Sequence, residues 1–225
     1  MKAENQPIDI YTAEWFLPAG QTDARGLMPV TLIVARAIEI ATLHANALGI
    51  GYSKLSRHRM GWVLARLAVE VKRYPGINET YSMSTWIEGY NRYFSDRCYE
   101  MRDEQGEAIA WIRSVWVAID METRGMADLS ELERDCFPLV ENRCPVAKCR
   151  LPMIKPGAET KQSTYTFTYT DIDFNRHVNT FRYMELLLNQ GSLDFHDTHG
   201  LTRFEIAYLH EAYFGETVDV RLSDT

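Results

Sequence analysis

The stretch 170-TDIDFNRHVNTFRYMELLL-188 decides how this chain is read, because it joins two patterns that need different backbones. Asp171, Asp173, Asn175, His177 and Asn179 occupy every second position, the period of a strand. Phe181, Met184, Leu187, Leu188, Gly191 and Phe195 then recur at helical spacing, so a helix is expected over 179–195. If 171–177 is extended, Asp173, Asn175 and His177 project from one face while Ile172 and Phe174 enter the core. Three hydrogen-bonding side chains would meet where a helix begins, and the unpaired N–H groups there favour negative charge. On a plainer reading Asp173 or Asn175 caps the helix and His177 is a surface residue.

A second helical pattern, 30-VTLIVARAIEIATLHANALG-49, has apolar residues at Val30, Ile33, Val34, Ala37, Ile38, Ala41, Ala45 and Leu48. Pro29 suits its first turn and Gly49 its end. The segments WVLARLAVEVKRY, TYSMSTWIEGY, RCYEMRDE and AIAWIRSVWVAID follow, rich in β-branched and aromatic residues and separated by PGIN, NRYFS and DEQGE turns. They predict an antiparallel meander after the first helix. From about Thr160 the order restarts: strand TYTFTYT, the second helix, then strands RFEIAYLHEAY and ETVDVRL. Between the halves, 141–160 carries Pro145, Pro152 and Pro156 without periodicity and is expected to be a linker.

The halves also align residue by residue. Thr22–Val30 lies over Thr170–Val178, which sets Arg25, Leu27 and Pro29 against Asp173, Asn175 and His177. With Ile77 and Asn78 taken as an insertion, Lys72 falls opposite Glu211. The second copy thus carries polar groups that the first lacks.

Composition narrows the classes. At 225 residues and 46% hydrophobic, the chain can bury one large core or two small ones, and its net charge of −7 argues against a general nucleic-acid binder. No apolar run approaches the roughly 18 residues of a membrane span, and the start MKAENQPIDIY resembles neither a signal nor a transit peptide, so a cytoplasmic address is expected. Cys98, Cys136, Cys144 and Cys149 form no zinc pattern and are expected to be reduced structural thiols. There is no G-x-S-x-G elbow for a serine hydrolase and no H-E-x-x-H; His196 to His199 (HDTH) suits a solvated helix end, so no metal site is expected.

TDIDFNRHVNTFRYMELLL resembles the D-x-N-x-H-V-N motif of acyl-acyl carrier protein thioesterases, and YLHEAYFGETVDV resembles the segment of that family with a catalytic Glu after the helix. HANALGIG, the long stretch from Gly61 to Arg92 and GEAIAWIRSVWVAIDMETR agree as well, so the resemblance covers nearly the whole chain. It implies an α+β double hotdog: two tandem repeats, each a long helix wrapped by an antiparallel sheet. The N-terminal repeat, 1–140, would hold the acyl chain without a catalytic set; the linker is 141–160; the C-terminal repeat, 161–225, would be catalytic, its sheet either short or lacking its closing strands.

Carried over by position, the catalytic residues fall on Asp173, Asn175, His177 and Glu211. One position departs: Ala212 stands where plant relatives have a Cys, so no cysteine nucleophile is available there. The implied reaction is hydrolysis of a fatty acyl thioester on acyl carrier protein, releasing fatty acid and ending chain elongation. Glu211, desolvated in an apolar cavity and assisted by His177, would activate water, with Asn175 on the carbonyl or the water and the amides of Val178 and Asn179 at the oxyanion. Asp173 would position Asn175 or serve as the base; the sequence leaves both open. Val34, Ile38, Ala41, Met60, Leu64 and Trp86 are candidates for the acyl tunnel, with plain core packing as the alternative.

No cofactor is expected, since the 4′-phosphopantetheine arm arrives with the carrier. Arg143, Lys148, Arg150, Lys155 and Lys161 give the linker region a basic character suited to that acidic partner. A monomer acting as a pseudo-dimer, or a weak homodimer, is expected, with no nucleic-acid partner. The alternatives are an acyl-CoA thioesterase of the same fold and a non-catalytic acyl-binding hotdog protein.

Overall fold

The computed structural model describes residues 8–131, 138–141, 144–149 and 161–223. The chain divides into two compact units, one of residues 1–149 with 201–207, the other of 150–200 with 208–225.

In the first unit, β1 (Ile10–Phe16) precedes α1 (Val30–Ala47), a strand that the sequence reading did not anticipate. A short α2 (Tyr52–Leu55) leads to β2 (Met60–Val71), β3 (Thr80–Tyr90), β4 (Phe94–Asp103) and β5 (Ala108–Asp120). With β7 (Arg203–Ala207) they form an antiparallel sheet in the order β1-β3-β4-β5-β2-β7. The strand expected from RFEIAYLHEAY ends at Ala207, where its pairing with β2 stops.

Helix α1 packs on β1 and β3. Ile33, Val34, Ala37, Ile40 and Ala41 are buried along the face it turns inward. Its end is a Schellman motif: Gly49, at φ +73°, donates to Asn46 O, and Ile50 donates to Ala45 O at 2.9 Å. Ile50 then closes a cluster with Ala45, Leu48, Leu55, Met60, Ile87 and Leu129. Against expectation, α1 is long and apolar enough to span a membrane, with 18 residues and a mean hydropathy of 1.2. Val30, Ile33, Val34, Ala37, Ile40, Ala41 and Ala45 among its apolar residues are buried, and the core helix of a soluble protein can pass the same test.

The buried Arg113 pairs with Glu88 and donates to Val146 O at 2.8 Å and Cys144 O at 3.2 Å. Val140 donates to Ile87 O and Lys148 pairs with Asp96, so the described parts of 138–149 lie along this sheet. Cys98, Cys144 and Cys149 are free thiols; Cys136 lies outside the described residues.

The second unit pairs β6 (Lys161–Thr166) with β8 (Thr217–Leu222). Phe167, Val178 and Ala212 form its buried centre, with Tyr165, Ile172, Tyr183, Leu186 and Val218 packed around them. The single helix expected over 179–195 is two: α3 (Thr180–Leu188) and α4 (Leu193–Thr198). The break has local causes. Ser192 caps α4 by accepting from Phe195 N–H at 3.1 Å, and a Cβ on Gly191 would come within 2.9 Å of the Phe195 ring and 2.8 Å of His196. His196 bonds Leu188 O and His199 stacks on Phe195, which occupies the HDTH pair within the helix end.

Candidate active site

The site lies between β6 and α3. The extended ladder expected over 171–177 does not form. Residues 173–177 fold back as a tight hairpin in which Asp173 N–H donates to His177 O at 2.8 Å and Arg176 N–H to Asp173 O at 3.1 Å. Asp173 Oδ1 accepts the amides of Asn175 (2.8 Å) and His177 (3.2 Å), so this carboxylate shapes the turn. Arg176 takes φ +69°, and Phe174, expected in the core, is 79% exposed.

The first half contains the same hairpin. Asp23 N–H donates to Leu27 O, Gly26 takes φ +73°, and Asp23 Oδ1 accepts from Arg25 N at 2.9 Å and Leu27 N at 3.0 Å. Met28 N–H donates to Pro75 O as Val178 N–H does to Ala212 O, and Leu17 N–H to Glu79 O as Phe167 N–H does to Glu216 O. The alignment read from the sequence is therefore two residues out. Asp23 matches Asp173, Arg25 matches Asn175 and Leu27 matches His177; no insertion is needed, and Tyr74 rather than Lys72 stands at the place of Glu211. Asp173 is common to both halves, whereas Asn175, His177 and Glu211 belong to the second alone.

Of these three, His177 and Glu211 meet. His177 Nδ1 lies 3.5 Å from Glu211 Oε1. The Tyr213 ring meets the imidazole edge-on at 5.1 Å, and His177 and Tyr213 are bridged through their backbones. The sequence reading missed Tyr213, whose one signal is its place two residues after Glu211. The Asn175 side chain is exposed and makes no hydrogen bond among the described residues. Glu211 is exposed rather than enclosed in an apolar cavity as expected. Ala212 is buried with Phe167 and Val178, so a side chain at that position faces the core.

The expected oxyanion donors are already used. Val178 N–H donates to Ala212 O at 2.8 Å and Asn179 N–H to Asp171 O at 2.7 Å, and each amide has one hydrogen to give. Asn179 instead caps α3, its Oδ1 accepting from Phe181 N–H at 3.1 Å. The amide of Thr180, the first residue of α3, has no acceptor among the described residues.

Of the acyl-tunnel candidates, Val34, Ala41, Met60, Leu64 and Trp86 are buried in the first unit and Ile38 partly so; Met60 belongs to the cluster at the end of α1. Of the five basic candidates, the structure describes Lys148 and Lys161. Lys148 is held by Asp96 at 2.7 Å and Lys161 donates to Gln190 O at 2.7 Å, while Arg143, Arg150 and Lys155 lie outside the described residues. Among the described residues no group of three His, Cys, Asp or Glu could hold a metal ion.

The fold is the double hotdog. Residues 9–134 match the acyl-ACP thioesterase N-terminal domain and 154–224 its C-terminal domain, and the chain belongs to that family. An acyl-ACP thioesterase from Bacteroides thetaiotaomicron superposes with a TM-score of 0.85 at 32% identity, over 93% of this chain and 84% of that one. The 12:0-ACP thioesterase from Umbellularia californica shares the fold, with a TM-score of 0.84 at 19% identity over 96% of this chain and 88% of its own. Oleoyl-acyl carrier protein thioesterase 1 of Arabidopsis thaliana, a chloroplast protein, is 25% identical over 80% of this chain and 54% of its own length. The chain thus spans about half the length of the curated relatives it matches.

Proposed function

We propose that this chain hydrolyses the thioester of fatty acyl-acyl carrier protein and releases the free fatty acid. The observation that carries the reading is the difference between two hairpins of one backbone, only the second of which bears Asn175, His177 and a facing Glu211. Family membership and the relatives' names, which specify acyl carrier protein, support the choice of carrier.

In this mechanism Glu211, with His177 beside it, orients a water and takes its proton as the oxygen attacks the thioester carbonyl. The Asn175 carboxamide NH2 and the Thr180 backbone N–H donate hydrogen bonds to the developing oxyanion. Collapse expels the pantetheine thiolate, whose pKa of about 8.5 lets it leave with little acid help. Asp173 keeps the hairpin in shape and is not the base. Val34, Ile38, Ala41, Met60, Leu64 and Trp86 are proposed to line the acyl chain. All the catalytic groups come from one unit of one chain, so a monomer suffices.

Turnover of acyl carrier protein and coenzyme A thioesters, measured side by side on wild type and Glu211→Ala, tests this reading. Faster hydrolysis of the carrier-protein ester, lost in the variant, is expected. Preference for the coenzyme A ester would reassign the carrier, and acyl binding without turnover would make the protein a non-catalytic hotdog.

A further inference from the structure

We infer that Asp171 is a positioning residue for this site: its buried carboxylate clamps the base of the hairpin that presents Asn175 and His177. The inference rests on the function proposed above. Asp171 is 3% exposed, yet every polar edge is engaged. Oδ2 accepts from Thr168 N–H at 2.7 Å, the Thr168 hydroxyl at 3.0 Å and the Tyr165 hydroxyl at 3.0 Å. Oδ1 faces Arg182 Nε at 3.6 Å, and Arg182 also donates to Thr170 O. The backbone carbonyl of Asp171 accepts Asn179 N–H at 2.7 Å, while Ile172 and Val178 bridge just inside it. One residue therefore ties the end of β6, the turn before the hairpin and the first turn of α3 together. Burial alone would push its carboxyl up; the Thr168 and Tyr165 donors and Arg182 outweigh that and hold it below the ordinary carboxylate value.

The first half shows what the clamp is not for. The same turn, Ala19–Gln21 against Tyr169–Asp171, leads there into the same hairpin, but Gln21 replaces Asp171, Trp15 replaces Tyr165 and Leu32 replaces Arg182. Pro29 replaces Asn179 and has no N–H to donate. There Gln21 Oε1 accepts a single bond from Arg36 at 3.2 Å and Asp23 still shapes the hairpin, so folding the hairpin does not require a buried carboxylate at this place. The clamp occurs in the copy whose hairpin must hold an imidazole against Glu211. A misplacement of about 1 Å there costs on the order of 10²-fold in rate.

The test compares Asp171→Asn, which keeps the shape but replaces one acceptor oxygen with a donor, and the milder Tyr165→Phe. With the carrier-protein thioester, Asp171→Asn is expected to lose about 10-fold or more in kcat with KM within about twofold, and Tyr165→Phe to lose less in the same direction. In both, the Asn179 amide should exchange faster and the His177 ring resonances should shift. A purely structural role would lower Tm and leave kcat per folded molecule and the His177 resonances unchanged. Wild-type kcat in folded Asp171→Asn, a loss confined to KM, or an unmoved His177 signal overturns the inference. Should Asp171→Asn fail to fold, Tyr165→Phe carries the test with the same readouts. His177→Ala is run alongside. An inactive wild type rejects the proposed function, and an active wild type with an inactive His177→Ala but an undiminished Asp171→Asn rejects the clamp alone.

Discussion

Acidifying the protein from pH 7 to 5 should remove about 2 kcal/mol of stability from the first unit through one residue, His44. Its ring is fully buried at the end of α1. Nδ1 accepts from the Arg97 guanidinium at 2.8 Å, and the Nε2 hydrogen is directed at Ile8 O, 2.6 Å away. This neutral tautomer satisfies both nitrogens, and an added proton could go only to Nδ1, facing a guanidinium. Burial first, then the Arg97 charge, lowers the pKa from 6.5 to about 4, against a smaller upward pull from Ile8 O and Asp9. The unfolded chain takes up this proton below about 6.5 and the native one only near 4. The contribution is therefore whole above pH 6.5 and is lost as the pH falls toward 4. Integrated over that window the loss is about 3 kcal/mol, of which about 2 is gone by pH 5. The five tryptophans, Trp15, Trp62, Trp86, Trp111 and Trp116, all lie in the first unit, so their fluorescence during guanidinium unfolding reports on that unit. Between pH 7 and 5 the wild type should lose about 2 kcal/mol more than His44→Gln. Equal losses in the two proteins would refute a buried neutral imidazole.

Four further outcomes are expected. Glu211→Ala and His177→Ala should stay folded and lose on the order of 10²-fold or more in kcat, measured on carrier-protein thioester; near wild-type rates would dismiss the pair as catalytic. Asp173→Asn, whose amide oxygen can still accept both turn amides, should keep kcat within a few-fold, and a 10²-fold loss would restore Asp173 as the base. Arg176→Gly should be neutral or stabilising by up to about 1 kcal/mol in thermal melts, because Gly26 fills the same left-handed position in the first half. A mixture of Glu211→Ala and His177→Ala chains should not recover activity; recovery would mean that sites are shared between chains.

How far the sequence went is clear at particular residues. Helix α1 was legible because Pro29, the apolar stripe and Gly49 agree on its limits. The break in the second helix was not, since Ser192 and Gly191 fit a continuing helix until Phe195 and His196 are in place. The polar set was found, but its backbone was misread. Alternation suggested a strand, and only the left-handed conformation of Arg176, which a Gly would have advertised, turns the segment into a hairpin. The same disguise shifted the internal alignment, matching Asp23 to Asp171 instead of Asp173. Which amides remain free for an oxyanion depends on carbonyls far away in sequence, here Ala212 O for Val178 N–H, and no local pattern records that.

Strand β7 has a consequence for how the chain is made. It covers the edge of β2 from Arg66 to Glu70, yet it emerges from the ribosome roughly 130 residues later. At about 5–20 residues per second, β2 waits on the order of 10 s with a row of unpaired N–H and C=O groups. A bare strand edge pairs readily with another chain. The newborn protein is therefore most vulnerable to aggregation after its first helix and meander have folded, and loss of β7 would make that vulnerability permanent.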